Sequence, residues 1–326
     1  MALSLDDRLS IGIQNIHRRT EPATAPWQPT IDEMQALVRL VDACGYDSLW
    51  VGDHIAFAVA IFDPLLQLAQ AAVVSRRLKL GTNVYLVPLR HPVPIAKQAA
   101  TLDHLSEGRL IFGVGVGGEF QKEFEACGVP LSERGARLSA AIPLLRQLWR
   151  GEPVSYSGRY FGAFSEVSMQ PPARQPGGPP IWVGGRADAA LARAGRLADG
   201  WISYVVTPET YRAGLETIAA AAEAAGRRID HFGTGHLLFA RLDASYEQAL
   251  DAAAATLSHR YAMDFRRAAE RYAALGRPEQ VAERIRAFHE AGVRHLVLDL
   301  VGPYEERPKQ IETFARDVLP LLADLR

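Results

Sequence analysis

The chain of 326 residues is poor in several things that would assign it to a simple class. It has two cysteines, Cys44 and Cys127, and neither belongs to a C-x-x-C pair, so a disulfide framework is excluded and a reducing compartment fits best. It has four lysines, Lys79, Lys97, Lys122 and Lys309. Only Lys79 falls on an expected strand, near its N-terminal end, which argues against Schiff-base chemistry at the opposite end of a sheet. Its nine histidines show no H-x-H or H-E-x-x-H spacing, and no metal centre is expected. No G-x-S-x-G elbow is present either. A formal net charge of −1 gives no global field for nucleic acid or anionic lipid. No apolar run reaches the about 18 residues of a membrane span, and the opening MALSLDDRLS lacks the basic and apolar regions of a secretory leader. The expectation is a cytoplasmic protein without nucleic-acid or membrane partners.

What the chain does have is alternation. Short apolar or β-branched runs are followed by helix-period segments eight times over, the pattern of a parallel sheet with crossover helices. The expected strands lie near 9–14, 47–52, 78–84, 109–116, 179–185, 199–205, 233–240 and 294–302. The expected helices run from Ile31 to Ala43, Pro64 to Ser75, Pro94 to Ser106, Glu133 to Trp149, Ala187 to Leu197, Pro208 to Ala225, Pro278 to Ala291 and Lys309 to Leu322. Gly45, Gly226 and Gly292 stand just past helix ends, where glycine adopts the left-handed cap without penalty. Eight βα units close naturally into a (β/α)8 TIM barrel, because an open sheet would leave two edges to protect. The reading is α/β, one domain over 1–326, with insertions around 117–132, 153–178 and 245–276. The first two read as grafted loops and the third as additional helix. Its Arg-rich part, 258–272, intersperses acids at helical spacing and reads as a solvated helix or subunit contact rather than a nucleic-acid patch.

Active sites of such barrels lie at the C-terminal ends of the strands. There the sequence places Gln14 and Asn15, then Asp53 and His54, then Asn83, then the loop LIFGVGVGGEF with Gly115, Gly117, Gly118 and Glu119. Strand five ends in Gly184, Gly185 and Arg186, and strand six in Ser203 and Tyr204. The glycine loop fits G-x-G-x-x-G, but it belongs to the fourth unit, and the residue 20 positions on from Gly113 is Glu133 at an expected helix start, not at a strand end. A dinucleotide fingerprint is therefore disfavoured. Two readings remain: glycines that let a flat ring lie close, or a tight turn without a ligand. GGRADAALARAG combines bare amides, an arginine and a helix start, an arrangement suited to a phosphate. His54 is either a general base or a structural histidine held by Asp53. Glycines at several mouths with no endogenous nucleophile or metal point to a bound cofactor carrying the chemistry.

GYDSLWVGDH (45–54), LGTNVYLVPLRHPVPIAKQAATLDHLSEGRLIFGVGVG (80–117), EFEACGVPLSERG (123–135), PPIWVGGRADAALARAGRLADGW (179–201) and GRPEQVAERIRAFHEAGVRHLVL (276–298), in this order, resemble the bacterial luciferase-like superfamily of flavin- and deazaflavin-dependent oxidoreductases. The resemblance implies a barrel holding FMN, or alternatively the deazaflavin coenzyme F-420, at its C-terminal mouth. It places the cofactor phosphate on Gly184, Gly185 and Arg186, and Asp53 and His54 near the flavin ring. It places a non-proline cis peptide between Asn83 and Val84 under that ring, with Gly115 to Gly118 as one wall; Ser203 and Tyr204, at the end of strand six, join the expected cofactor site by position. Many relatives carry a tryptophan or an acidic residue where Gly118 stands, so here space opens over the ring and Glu119 becomes an acid, a substrate contact or a solvated charge. The implied activity is a monooxygenase using reduced FMN and oxygen on a small organic substrate, supplied by a flavin reductase. The alternatives are F-420-dependent hydride transfer and a barrel that binds flavin without catalysis. Family members are commonly homodimers. The substrate is set by the insertions 55–63, 153–178 and 245–276 and is not readable.

Overall fold

The computed structural model describes residues 3–15, 28–57 and 61–326; His17 and the middle of the 55–63 insertion lie outside the described residues. Eight parallel strands close a barrel: β1 (Ser10–Asn15), β2 (Ser48–Val51), β3 (Lys79–Thr82), β4 (Leu110–Val114), β7 (Ile181–Gly184), β8 (Gly200–Tyr204), β9 (Gly233–Leu242) and β11 (His295–Leu300), with β8 joined to β9 and β11 to β1. The crossover helices are α1 (Ile31–Ala43), α2 (Pro64–Val74), α3 (Pro92–Leu105), α5 (Arg134–Trp149), α6 (Asp188–Leu197), α7 (Pro208–Ala224), α10 (Pro278–Glu290) and α11 (Arg307–Asp317). Their starts follow local chemistry. Thr30 and Glu33 form a reciprocal capping box on α1, and Asp63 caps α2 ahead of Pro64. Gly45, Gly226 and Gly292 stand past α1, α7 and α10 with φ of 78°, 63° and 108°, the left-handed stops expected of them. Among the described residues no helix is long and apolar enough to cross a membrane.

The insertions differ in part from expectation. Residues 117–132 carry a short helix, α4 (Gln121–Ala126). The stretch 153–178, expected as loop, contains an antiparallel hairpin of β5 (Val154–Gly158) and β6 (Gly162–Val167), whose Tyr156 and Phe164 stack across the pair. Residues 245–276 form α8 (Tyr246–Tyr261), α9 (Arg266–Tyr272) and the short β10 (Ala274–Gly276), which pairs with β9 outside the barrel.

The barrel interior is filled, not open. Trp50, Ile111, Trp182, Ile202 and Val297 point inward as one cluster, with the two indole rings 5.7 Å apart. Glycines make the room: a Cβ at Gly81 would fall 2.2 Å from the Trp50 ring, and one at Gly233 2.2 Å from Trp182. Truncating a buried tryptophan of this kind costs on the order of 3–5 kcal/mol. The tryptophan layer floors the cavity above it.

Candidate active site

A cavity of about 410 Å³ opens at the C-terminal mouth, within the size range of small-molecule sites. Its walls are apolar at Val84, Leu86, Ile202 and Leu237, and amides enter at Gln14, Asn15, Gln67 and Asn83. The Asn83 side chain donates to Gln14 Oε1 at 3.3 Å.

After β2 the chain turns through Gly52, Asp53 and His54. The Asp53 carboxylate is fully buried and accepts from the Leu86 amide at 2.8 Å and from both Arg90 guanidinium ends, at 2.5 and 2.8 Å. Asp53 does not touch His54; it pins the loop after β3, with the Arg90 guanidinium 4.2 Å over the Tyr85 ring. Burial opposes the Arg90 charge, and the pair with Asp53 outweighs it, so its pKa is raised. The partner of His54 is Glu123 on α4. Its fully buried carboxylate lies 3.0 Å from His54 Nδ1 and takes the Ile55 amide at 3.1 Å. The imidazole stacks on Phe57 at 4.0 Å. A carboxylate on Nδ1 fixes the ring and favours the tautomer with Nε2 free to accept a proton.

The peptide between Asn83 and Val84 is cis. The Val84 side chain lies between two glycines, for a Cβ at Gly115 would fall 2.2 Å from its Cγ2 and one at Gly184 2.5 Å from its Cγ1. These two mouth glycines therefore seat Val84. Gly115, Gly117, Gly184 and Gly185 all border the cavity.

Four expected site residues need restating. Ser203 faces outward: β8 alternates, sending Ile202 and Tyr204 to the cavity and the Ser203 hydroxyl to His236 Nδ1 at 2.8 Å. Gly118 does not border the cavity. A Cβ there would meet Arg134 at 3.1 Å, so the space it leaves is taken by that side chain and not opened over a ring. Arg186 donates to the Val205 carbonyl at 2.9 Å and stands 5.4 Å over the Tyr204 ring, outside the lining. Glu119 Oε1 accepts from the Tyr204 hydroxyl at 3.1 Å across the mouth. Burial, then Glu119, push the Tyr204 hydroxyl up to about 12, which keeps it a donor at neutral pH.

Sequence reasoning missed Glu123, Arg260, Tyr261 and Asp299. Arg260 and Tyr261 were expected on a solvated helix, yet the last turn of α8 brings both to the cavity wall, where Arg260 meets Asp299 of β11 at 2.5 Å. The rest of that segment is mixed: Phe265 and Ala269 are buried, while Arg266 is half-buried and pairs with Asp251 at 2.6 Å. Asp299 carried a signal, a lone charge inside the apolar run RHLVLDLVG near a strand end. Glu123 carried none, since EFQKEFEAC reads as an ordinary polar helix face.

Two buried histidines serve the frame. His236, beside Ser203, is held down at about 3 by burial and then by Arg284; His295, bonded to Ser48 at 2.8 Å, is held at about 3 by burial and then by Lys79. Both are neutral when folded, whereas unfolded histidine titrates near 6.5. The unfolded chain therefore binds more protons between those values, and stability falls as pH falls through that window, by roughly 1.4 kcal/mol per pH unit per histidine. Urea midpoints measured from pH 7 to 4 should drop steeply, and His236→Gln should flatten the slope by about one proton. An unchanged slope in that variant would show His236 is not the group responsible.

The sequence profile of the luciferase-like monooxygenases matches residues 12–295. The chain is 29% identical over 329 residues to an F420-dependent glucose-6-phosphate dehydrogenase of Nakamurella multipartita, covering 90% of this chain and 93% of that protein. It is 34% identical over 157 residues to the oxygenase component of a flavin-dependent trigonelline monooxygenase of Acinetobacter baylyi, covering 48% and 43%. Among solved structures, the monooxygenase RslO1 of Streptomyces bottropensis superposes with a TM-score of 0.81 at 26% identity, over 96% of this chain and 99% of that one.

Proposed function

The chain belongs to the luciferase-like monooxygenase family, and from that premise we propose a flavin-dependent oxidoreductase that uses reduced FMN and oxygen on a small organic substrate. One observation carries the reading. A cavity at the barrel mouth is lined both by an imidazole, oriented by a buried carboxylate, and by Val84 seated on its two glycines.

The residues fit such a cofactor. An apolar trough with amides at one edge suits a flat heteroaromatic ring. Gly184 and Gly185 lead into α6, which opens without any side-chain cap; the Gly185 and Ala190 amides are already paired, to Ile202 and Ala187, so the Asp188 and Ala189 amides with the helix dipole are what a phosphate would meet. When bound, the reduced ring supplies electrons to oxygen, or exchanges hydride if it is the deazaflavin. The protein's own part is positional and protic. His54 Nε2 takes or returns a proton, Glu123 holds the ring and balances its charge, and the apolar walls exclude water. Tyr204 with Glu119 spans the mouth.

F-420-dependent hydride transfer is the second reading, supported by the full-length likeness to an F420-dependent dehydrogenase. Fluorescence-quenching titration of the purified protein with FMN and F-420, side by side, tests both. Tight FMN binding with oxygen uptake is the expected result; tight F-420 binding alone transfers the assignment to the second reading, and binding of neither ends both. Tight flavin binding with neither oxygen uptake nor hydride transfer would leave only a binding barrel.

The FMN reading calls for a flavin reductase as partner, a cytoplasmic setting and one luciferase-like domain over 1–326. A homodimer is supported by α2, which has no charged residue and leaves Leu66 73% and Val73 66% exposed, two turns apart on one face. Leu66→Glu with Val73→Glu should halve the mass seen by light scattering without lowering the melting temperature. An unmodified protein that is already monomeric would reject the dimer.

A further inference from the structure

A second cavity, of about 360 Å³, lies at the end of the barrel away from the mouth, between α5 and the C-terminal ends of α6 and α7. Ile142, Pro143 and Leu197 give it apolar lining, and Arg146, Arg196, Arg227 and Asp199 its polar lining. Asp199 stands just before β8. Its Oδ2 accepts from the amide of Ile181, the first residue of β7, at 2.8 Å and from Arg146 Nη2 at 2.7 Å. That clamp on the start of two strands needs one arginine, and the cavity holds three. Arg227 Nη1 donates to the Gly195 carbonyl at 3.1 Å, with Nη2 3.6 Å from Asp199 Oδ1, and Arg196 uses only Nε, on the Ala192 carbonyl at 3.2 Å. Among the described residues, Nε and Nη1 of Arg146, Nε of Arg227 and both Nη groups of Arg196 have no protein hydrogen-bond partner. The Arg146 and Arg227 side chains are only 28% and 25% exposed, so two like charges are held out of bulk water around one carboxylate. Burial lowers the Arg227 pKa, Asp199 opposes this, and Arg146 adds to it.

We infer that this cavity is a binding site for a phosphate dianion, free or as the monoester of a small organic molecule, separate from the cofactor site at the mouth. Charge selects the ligand. Three guanidiniums stand against one carboxylate and the C-terminal carbonyls of α6, whose dipole adds about half a negative charge, so an excess of about 1.5 positive charges remains. A phosphate group carries about −1.5 to −2 at neutral pH and matches that excess. A monocarboxylate would leave part of it unmatched, and a neutral ligand all of it. Guanidinium groups also present paired N–H donors in the fork that phosphate oxygens accept. Ile142, Pro143 and Leu197 beside them offer apolar surface on which the organic part of a monoester can lie.

Inorganic phosphate and phenyl phosphate serve as probes, titrated calorimetrically into the whole protein at about 0.15 M chloride, where exposed charges are largely screened. The unmodified protein should bind phosphate with a Kd of about 1 mM or tighter. Arg196→Gln should weaken this about tenfold and Arg196→Glu abolish it, while both leave the clamp of Arg146 on Asp199 intact. Asp199→Asn keeps an acceptor for the Ile181 amide and removes the one negative charge, so phosphate should bind about fivefold tighter, a gain that loss of a merely structural contact does not produce. Phenyl phosphate bound about tenfold tighter than inorganic phosphate would assign the site to organic monoesters, and equal affinities would assign it to free phosphate. Cofactor affinity in Arg196→Gln should equal that of the unmodified protein; a parallel loss would place the phosphate at the mouth and overturn the inference. No binding at about 10 mM phosphate, binding unchanged by both Arg196 variants, or weaker binding in an Asp199→Asn protein that melts normally would overturn it as well.

Discussion

His54→Asn is expected to lower turnover on any substrate the unmodified enzyme accepts by about 10²- to 10⁴-fold, the range of a lost general acid or base. Cofactor affinity should stay within a few-fold, because asparagine keeps a polar group of similar reach in the same wall. The geometry behind this is the 3.0 Å contact of Nδ1 with a carboxylate that is itself fully buried. An imidazole so held presents Nε2 in one direction and gains a compensating negative charge when it protonates. Glu123→Gln should therefore act through the histidine: turnover falls about tenfold, since the ring loses the carboxylate that orients it, while cofactor affinity holds. Asp53→Asn should behave differently, loosening the Arg90 and Leu86 contacts and raising the cofactor requirement more than it lowers turnover. Unchanged turnover in His54→Asn would remove the residue from the chemistry and leave it a wall of the cavity.

Gly115→Ala should weaken cofactor binding by about ten- to a hundredfold and cost roughly 1–3 kcal/mol of stability, the usual price of overpacking. Its new Cβ would fall 2.2 Å from Val84 Cγ2, and the other methyl of Val84 already fills the space that Gly184 leaves by having no Cβ, so the side chain has little room to move. A β-branched side chain has few rotamers to trade. The remaining escape is into the cavity, where the ring would lie. Adding Val84→Ala to the same chain should restore most of both losses, a coupling that neither single change predicts. Cofactor titration and urea unfolding of the four proteins measure it. If Gly115→Ala binds cofactor normally, the glycine is not there to seat Val84.

The alternation of eight apolar runs with eight helical patterns was enough to specify the barrel, because each unit's period and its caps are local properties. Thr30 with Glu33, Asp63 before Pro64, and Gly45, Gly226 and Gly292 after helix ends are all readable within five residues of chain. The strand-end rule likewise pointed to the cavity residues His54, Asn83, Gly115, Gly184 and Tyr204. What it could not supply was orientation. A strand sends neighbours to opposite faces, so Tyr204 borders the cavity while Ser203 meets His236, and only the closed sheet settles which is which. Nor could it supply partners from elsewhere in the chain. Glu123 lies 69 residues from His54 and Asp299 lies 39 from Arg260, and nothing local distinguishes these acids from solvated ones. Sequence thus determined which elements form and which of their ends face the mouth; the tertiary placement of α4 beside the turn after β2, and of the last turn of α8 beside Asp299, decided which charges meet there, because burial makes an unpaired charge too costly to leave alone.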